Sequence, residues 1–456
     1  MAKKREQRFL LLDDRNIGVA SNMKLSVGTA QKHPANPLFI EDKPWEQRFD
    51  NLYGNILFDQ DEQMYKCWYS PFIKSNRCLP EMSLQERRAT PYEGLKNMEM
   101  GICYAISRDG LSWLKPDLGL VEYDGNKHNN LVWRGPHGAG ILKDGHETDP
   151  MRRYKTIFQG INISTSSDGL KWARPHKVEC HSAGDTHNNA LWSEELGKYV
   201  AFTRTWAKTD RPITGMESKT NHGWSRQVSR MESSDFLNWS DTEVVIEGSS
   251  WEKQPYAMPV FKHAGIYLGL IAIHDQVSDR VWTELAWSPD TIYWRRIDEG
   301  NPLIGCSETE LEYDYGCVYA CLSPVFLHEE IRLYYGGSDW LHFDWRTGCL
   351  ALATLRPDGF AGFKQIDTNK PGKLTTMPVD YTGQQIRVTL DVAALGSVSV
   401  KVLDSANAVV GEQTFFRSVT DAPLFIDESL TTEIRLEFSV TAATVYSFVL
   451  DNGPES

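Results

Sequence analysis

The chain of 456 residues exceeds one ordinary domain, and with 41% apolar and 24% charged residues it has the composition of a folded protein. Its formal net charge is −13, from 48 Lys plus Arg against 61 Asp plus Glu, which argues against nucleic acid or an anionic membrane surface as partner. No apolar run approaches the ~20 residues that span a bilayer. At the start, the run from Phe9 to Leu12 is too short for a secretory leader, so a cytoplasmic protein is expected. The eight cysteines contain no C-x-x-C and have no zinc-like spacing with histidine, so free thiols, no metal and no cofactor are expected.

In chain order, two repeats run through the first 360 residues. The first places Trp four residues after Asp: Ser107-Arg-Asp109-Gly-Leu-Ser-Trp113, Ser167-Asp168-Gly-Leu-Lys-Trp172, Ser234-Asp235-Phe-Leu-Asn-Trp239 and Ser288-Pro-Asp290-Thr-Ile-Tyr-Trp294. A degenerate fifth copy is Arg356-Pro-Asp358-Gly-Phe360. The aspartate caps its own turn, glycine accepts positive φ, and Trp lays an apolar face on the next layer, so these acids read as structural. The second repeat, out of phase with the first, is a short apolar strand, a polar turn and an aromatic strand. Its copies begin at Asn55, Ile141, Ala190, Pro259 and Pro324. Four antiparallel strands repeated five times predict a β-propeller. One short helix is expected over 81–89.

After Trp345 the tryptophans stop and period-two alternation takes over: Ile386, Val388, Leu390 and Val392; Val398, Val400 and Val402; Ile434, Leu436, Phe438 and Val440; Tyr446, Phe448 and Leu450. Such alternation means strands with one buried face. The expected fold class is all-β, a five-bladed β-propeller over 1–363 followed by a β-sandwich over 364–456, with a linker near Gly372.

In a propeller, polar residues just before the innermost strands face a central funnel. Those segments are Arg48-Phe-Asp50-Asn51-Leu-Tyr53, Gly184-Asp185-Thr-His187-Asn188, Trp251-Glu252-Lys-Gln254-Pro-Tyr256, and Glu308-Thr-Glu310-Leu-Glu312-Tyr-Asp314-Tyr-Gly316-Cys-Val-Tyr319-Ala320. Acids, amides and aromatic rings recurring together have the composition of a sugar-binding pocket. An oligosaccharide is therefore the expected partner, with the oligomeric state left open.

These segments resemble the furanosidase-like five-bladed propellers, the clan of glycoside hydrolase families 32, 68 and 43. Asp314-Tyr-Gly316-Cys-Val-Tyr319-Ala320 is similar to the family 32 motif entering blade five. The resemblance implies Asp50 as nucleophile, Asp185 as transition-state stabiliser and Glu252 as general acid/base. It also implies a retaining enzyme that releases terminal fructofuranoside-like residues. Where family 32 has Asn-Asp-Pro-Asn-Gly, Arg-Asp-Pro and Glu-Cys-Pro, this chain has Phe-Asp-Asn-Leu, Gly-Asp-Thr-His and Trp-Glu-Lys-Gln. A strict register places Tyr256 in the acid/base slot, and Glu308, Glu310 and Glu312 are the other candidate proton donors. Asn51, His187, Asn188, Arg204, Tyr256, Asp314 and Trp340 are expected to bind substrate. An inverting arabinofuranosidase- or arabinanase-like hydrolase and a non-catalytic carbohydrate-binding propeller are the alternatives. A sialidase is disfavoured because no arginine triad can be assembled from the sequence.

Overall fold

The computed structural model describes residues 6–49, 51–79, 81–208, 223–426 and 432–453. Among these the single α-helix is Leu84–Ala89, and nearly all other regular structure is strand. Ser83 starts the helix: its hydroxyl accepts from the Glu86 amide while the Glu86 carboxylate receives the Ser83 amide. No helix of the described residues is long and apolar enough to cross a membrane.

The strands between residues 31 and 355 form four hydrogen-bonded sheets of six, four, four and eleven strands, the last holding two antiparallel groups joined edge to edge; the five groups are called units one to five in chain order. The innermost strands of the first three are Asn55–Asp59, Gly140–Lys143 and Asn189–Ser193. Val260–His263 and Val325–Phe326 are the inner strands of the fourth and fifth. One parallel pair, Val281 with Cys317, joins the fourth and fifth units into a single hydrogen-bonded sheet. The outer edge of the fifth unit comes from the other end of this stretch: Gln31–Lys32 and Phe39–Ile40 pair with Gly348–Leu355.

Each inner strand abuts the next around a ring. Asn55 Nδ2 donates to the Ala139 carbonyl (2.9 Å) and its Oδ1 accepts from the Ile141 amide (2.9 Å), tying unit one to unit two. Asn189 repeats the device between units three and four, with Met258 O at 2.9 Å and Val260 N at 3.0 Å. Between units two and three, the Asn188 amide and side chain both donate to Gly138 O. The Phe261 and Phe326 rings meet at 6.1 Å between units four and five. Leu322 N donates to Gly54 O, closing unit five onto unit one. A cavity of about 850 Å³ runs along these five strands and is lined by residues from all of them.

The Asp-to-Trp turns form as their chemistry predicts. In all four, one carboxylate oxygen accepts the amides two and three residues on, as with Asp168 and the Leu170 and Lys171 amides (both 2.8 Å). Each turn sits on the preceding unit. Gly169, at φ +76°, offers its carbonyl to Trp68 Nε1 (2.7 Å), and Trp172 stacks on Trp133. Asp358 departs from the pattern. It is buried, and accepts from Arg8 (2.5 Å), Ser447 (2.5 Å) and the His263 ring (3.1 Å), so it clamps unit four to the C-terminal sheet.

That C-terminal assembly is hydrogen-bonded into one ten-stranded sheet. The reason lies in its two long strands, Gln385–Leu403 and Thr432–Asp451, which pair with each other along most of their length through irregularities at Thr389/Leu390 and Val392/Ser397. Their alternate residues, Ile386 through Leu390, Val398 through Val402 and Ile434 through Val440, form its core. Two sequence expectations need correcting. The stretch expected as a linker is the strand Gly372–Thr376, because Leu374 is fully buried in this core. The strands Glu6–Leu10, Ile17–Ser21 and Met23–Val27 also belong to this sheet, paired with Thr432–Asp451, Gly372–Thr376 and Ala361–Gln365.

Candidate functional site

The site lies at the end of the ring where the inner strands begin. Leading into Asn55–Asp59, three consecutive residues, Asn51, Leu52 and Tyr53, take left-handed backbone at φ 56°, 61° and 43°. Side chains rarely adopt this conformation, and holding three in a row stores strain that packing must offset. Gly336 makes room: a Cβ there would fall 2.5 Å from the Asn51 carbonyl. Asn51 Nδ2 donates to Tyr53 OH (3.0 Å), and its Oδ1 accepts from Arg346 Nη2 (2.9 Å). The Tyr53 ring then stands 5.3 Å from His187, 5.6 Å from His137 and 6.4 Å from Tyr319. Asp50, the expected nucleophile, lies outside the described residues.

Unit three contributes the loop before Asn189–Ser193. The Asp185 carboxylate is partly exposed and lies 3.5 Å from Arg204 Nη1, while its Oδ1 is buried without a hydrogen bond. Arg204 also donates from Nη1 to the Asp185 carbonyl (3.0 Å) and from Nη2 to the Tyr256 carbonyl (2.6 Å), locking two units together. His187 is buried, with Nε2 at 3.2 Å from Asn55 Oδ1, and burial pushes its pKa down to about 3, so the ring is neutral at ordinary pH. Asn188 serves its own loop. Its Nδ2 donates to the Gly138, Gly184 and Thr186 carbonyls, and its Oδ1 accepts from Thr203 (2.6 Å).

In unit four the strand Lys253–Ala257 loses register against Ile266–Asp275 between Pro255 and Ala257. Tyr256 is the extra residue, and a bulge of this kind re-aims the side chain it carries. Its ring meets Tyr319 at 5.2 Å and His342 at 4.8 Å, and it lies between the guanidiniums of Arg204 (4.2 Å) and Arg226 (4.9 Å). Glu252 precedes that strand and is half-buried, its carbonyl accepting from the Gln276 amide (2.7 Å). From unit five, Tyr319 OH meets His342 Nδ1 at 3.0 Å. His274 receives Gln276 Nε2 on Nδ1 (2.8 Å), which leaves Nε2 to donate to Asp279 (2.9 Å). Burial pushes the pKa of both His274 and His342 down.

Asn51, Asp185, His187, Arg204 and Tyr256 are thus gathered into one network by contacts between four units. Asp314 and Trp340 are held elsewhere. Asp314 is fully buried between Tyr335 OH (2.8 Å) and Lys32 Nζ (2.7 Å). Trp340, also buried, stacks on Tyr315 and donates to Asp344 (3.1 Å), so neither of its faces opens as a platform. Glu308, Glu310 and Glu312 are exposed, with Glu310 paired to Arg88. Sequence reasoning missed Tyr53, His137, Arg226, His274, Tyr319, His342 and Arg346. Tyr53 and Tyr319 stood inside the quoted segments and were recoverable, whereas nothing near His342 or Arg346 in the sequence marks them.

No family model matches the chain, and no curated protein does. Among solved structures, it is similar to an N-acetylgalactosamine deacetylase from F. plautii in complex with blood group B trisaccharide (TM-score 0.47, 11% identity, 75% of this chain and 97% of that one). It is also similar to a β-1,2-mannobiose phosphorylase from Listeria innocua (0.46, 14%, 72% and 96%). A third is a family 43 arabinoxylan arabinofuranohydrolase from Bacillus subtilis (0.41, 10%, 93% and 99%). At such identities and scores these likenesses transfer neither activity nor residue roles to this chain.

Proposed function

We propose that the protein is a glycoside hydrolase that releases terminal furanosidic, fructofuranoside-like residues from oligosaccharides by a retaining mechanism. The proposal includes a five-bladed β-propeller, over about 31–355, that carries the site. A β-sandwich-like domain from about 364 onward, completed by residues 6–27, makes up the rest. A relationship to family 32 and a cytoplasmic setting belong to the same reading, and the eight cysteines, all free thiols, are compatible with that setting. The observation that carries the reading is the gathering of Asn51, Asp185, His187, Arg204 and Tyr256, distant in sequence, at one end of the ring.

Glycoside cleavage passes through an oxocarbenium-like state, so one carboxylate attacks the anomeric carbon while a protonated group assists the leaving oxygen. In this assignment Asp50 attacks, Asp185 stabilises the developing charge, and Glu252 protonates the leaving group and then activates water. Arg204 positions Asp185 through both its carbonyl and its carboxylate. Tyr256, whose ring is flanked by the Arg204 and Arg226 guanidiniums, presents its phenol hydroxyl to the sugar, and neutral His187 with Asn51 supplies hydrogen bonds to hydroxyls. The test is hydrolysis of aryl furanosides and fructo-oligosaccharides by the full chain. Asp50→Asn, Asp185→Asn and Glu252→Gln should each lower kcat by about 10²- to 10⁴-fold. An inactive wild type, or an Asp50→Asn variant with ordinary turnover, overturns the assignment. A non-catalytic carbohydrate-binding role is the second reading, favoured by Tyr256 standing at the bulge where the family pattern places an acid.

A further inference from the structure

The paired strands Lys198–Lys208 and Trp224–Ser233 of unit three project past the site. Phe202 stands opposite Asn189, the first residue of the inner strand, so residues 203–208 continue beyond the end of the ring where the site lies. At about 3.3 Å per residue, Trp206 stands about 13 Å and Lys208 about 20 Å past that point. Units one and two have no such extension: Asn55 pairs with Trp68 and Gly140 with Ile157, each one residue from the end of its strand. In units four and five the longer strands are paired at that height by Lys253–Ala257 and Cys317–Ala320. In unit three, among the described residues, 203–208 pair only with 224–229.

Alternation fixes what each face of this extension meets. Val200, Phe202 and Val228 pack with Met258 and Val260 of unit four, whereas Tyr199, Ala201 and Met231 pack with Ile157 and Ile163 of unit two. Period two carries the unit-four face upward through Arg204, Trp206 and Lys208 on one strand and through Arg226 and Trp224 on the other. Trp206 lies opposite Arg226 and Lys208 opposite Trp224, so the two tryptophans are diagonal neighbours on the face that carries Arg204 to Tyr256. The guanidiniums of Arg204 and Arg226 link the levels, at 4.2 and 4.9 Å from the Tyr256 ring and 5.4 and 5.0 Å from the Trp206 ring. Both are held in place. Arg204 donates to the Asp185 and Tyr256 carbonyls, and Gln254 Oε1 accepts from the Arg226 amide (3.2 Å) and Nη1 (3.1 Å). Trp206 therefore sits on a fixed base that is continuous with the site, and its ring is partly exposed. Of the fifteen tryptophans only Trp224 is exposed, at 44%.

We propose that Trp206 and Trp224 form a stacking platform for a sugar ring beyond the one held at Tyr256, so that the ligand is an oligosaccharide longer than a disaccharide. This rests on the carbohydrate reading above and deepens it by setting the length of the chain that the site takes. A sugar ring offers an apolar C–H face to an indole, and removing that face and the exposed Trp224 ring from water favours the contact. Continuity with the Tyr256 level through the two guanidiniums is what selects a saccharide as the occupant over an unrelated partner.

The test is titration of the full chain, followed by tryptophan fluorescence, with the disaccharide and the pentasaccharide of four series: inulin, arabinan, xylan and cellulose. At least one pentasaccharide should bind tenfold or more tightly than its own disaccharide. Trp206→Ala and Trp224→Ala should each weaken that pentasaccharide about tenfold and so remove most of the gain with length, while Trp224→Phe should keep part of it. Phe416→Ala, at a 75% exposed ring on the C-terminal sheet, should change neither affinity. Pentasaccharides that bind no more tightly than their disaccharides overturn the proposal, as does Trp224→Ala with undiminished pentasaccharide affinity. Should Trp206→Ala fail to fold, Trp224→Ala, at an exposed position, still decides. Length-dependent binding without cleavage of any glycoside would sink the hydrolase reading alone. Cleavage of furanosides with no preference for length would sink this inference alone.

Discussion

The two bridging asparagines permit a paired test of how the ring and the site are coupled. Asn55 and Asn189 both span neighbouring inner strands with one donated and one accepted hydrogen bond, but Asn55 also donates to the Tyr53 carbonyl (3.0 Å) and faces the His187 ring (3.2 Å). Both residues are buried. Asn55→Ala leaves Ala139 O, Ile141 N, Tyr53 O and His187 Nε2 without that partner, whereas Asn189→Ala leaves Met258 O and Val260 N. At about 1 kcal/mol or somewhat more for each orphaned buried group, the expected losses are about 4–5 kcal/mol for Asn55→Ala and about 2–3 kcal/mol for Asn189→Ala. Urea unfolding followed by tryptophan fluorescence measures both. Ligand affinity supplies the second readout, since only Asn55 touches the residues that set Tyr53 and His187. Asn55→Ala costing under about 1 kcal/mol, or no more than Asn189→Ala, would show that the inner strands are not held as argued.

Acidification should destabilise the fold through His187. Its folded pKa of about 3 lies below the unfolded 6.5, so the unfolded chain binds more protons between those values and stability falls as pH drops below 6.5. From pH 7 to 5.5 the loss from this residue is about 1 kcal/mol, and His187→Asn should flatten that part of a Tm–pH profile. Glu41 acts at the other end of the scale. Burial raises it to about 8 while its Oε1 accepts from the Phe49 and Gly348 amides, so its contribution is complete below pH 4.5 and is lost as pH rises toward 8. Glu41→Gln keeps the acceptor without the ionisation and should raise Tm at pH 8 but not at pH 4; equal shifts at both would refute this. Gly169→Ala should cost about 2 kcal/mol or more, since the new Cβ meets Trp68 at 2.6 Å on a left-handed backbone, whereas Gly197→Ala, left-handed in open space, should cost about 1 kcal/mol.

Local chemistry made much of this molecule legible. An aspartate that accepts the two amides ahead of it and a serine two residues before it are interactions within one turn, so the Asp109, Asp168, Asp235 and Asp290 turns could be read from a few letters each. Alternation is likewise set by the pleat of a single strand, and the rows from Ile386 to Leu390 and from Ile434 to Val440 bury as their period requires. The segments just before the inner strands were also identifiable, which is why Asn51, Asp185, His187 and Tyr256 were named and were found together. What the letters could not show is anything settled between distant residues. Pairing of 31–40 with Gly348–Leu355, and of 6–27 with the C-terminal sheet, closes loops of several hundred residues by contacts whose partners carry no shared motif. A one-residue bulge at Tyr256 changes which side chain faces the site, and no periodicity announces it. The arginines are the clearest case: Arg204 was named as a candidate, but nothing along the chain marks Arg226 or Arg346, and only the folding of separate segments removes these side chains from water together.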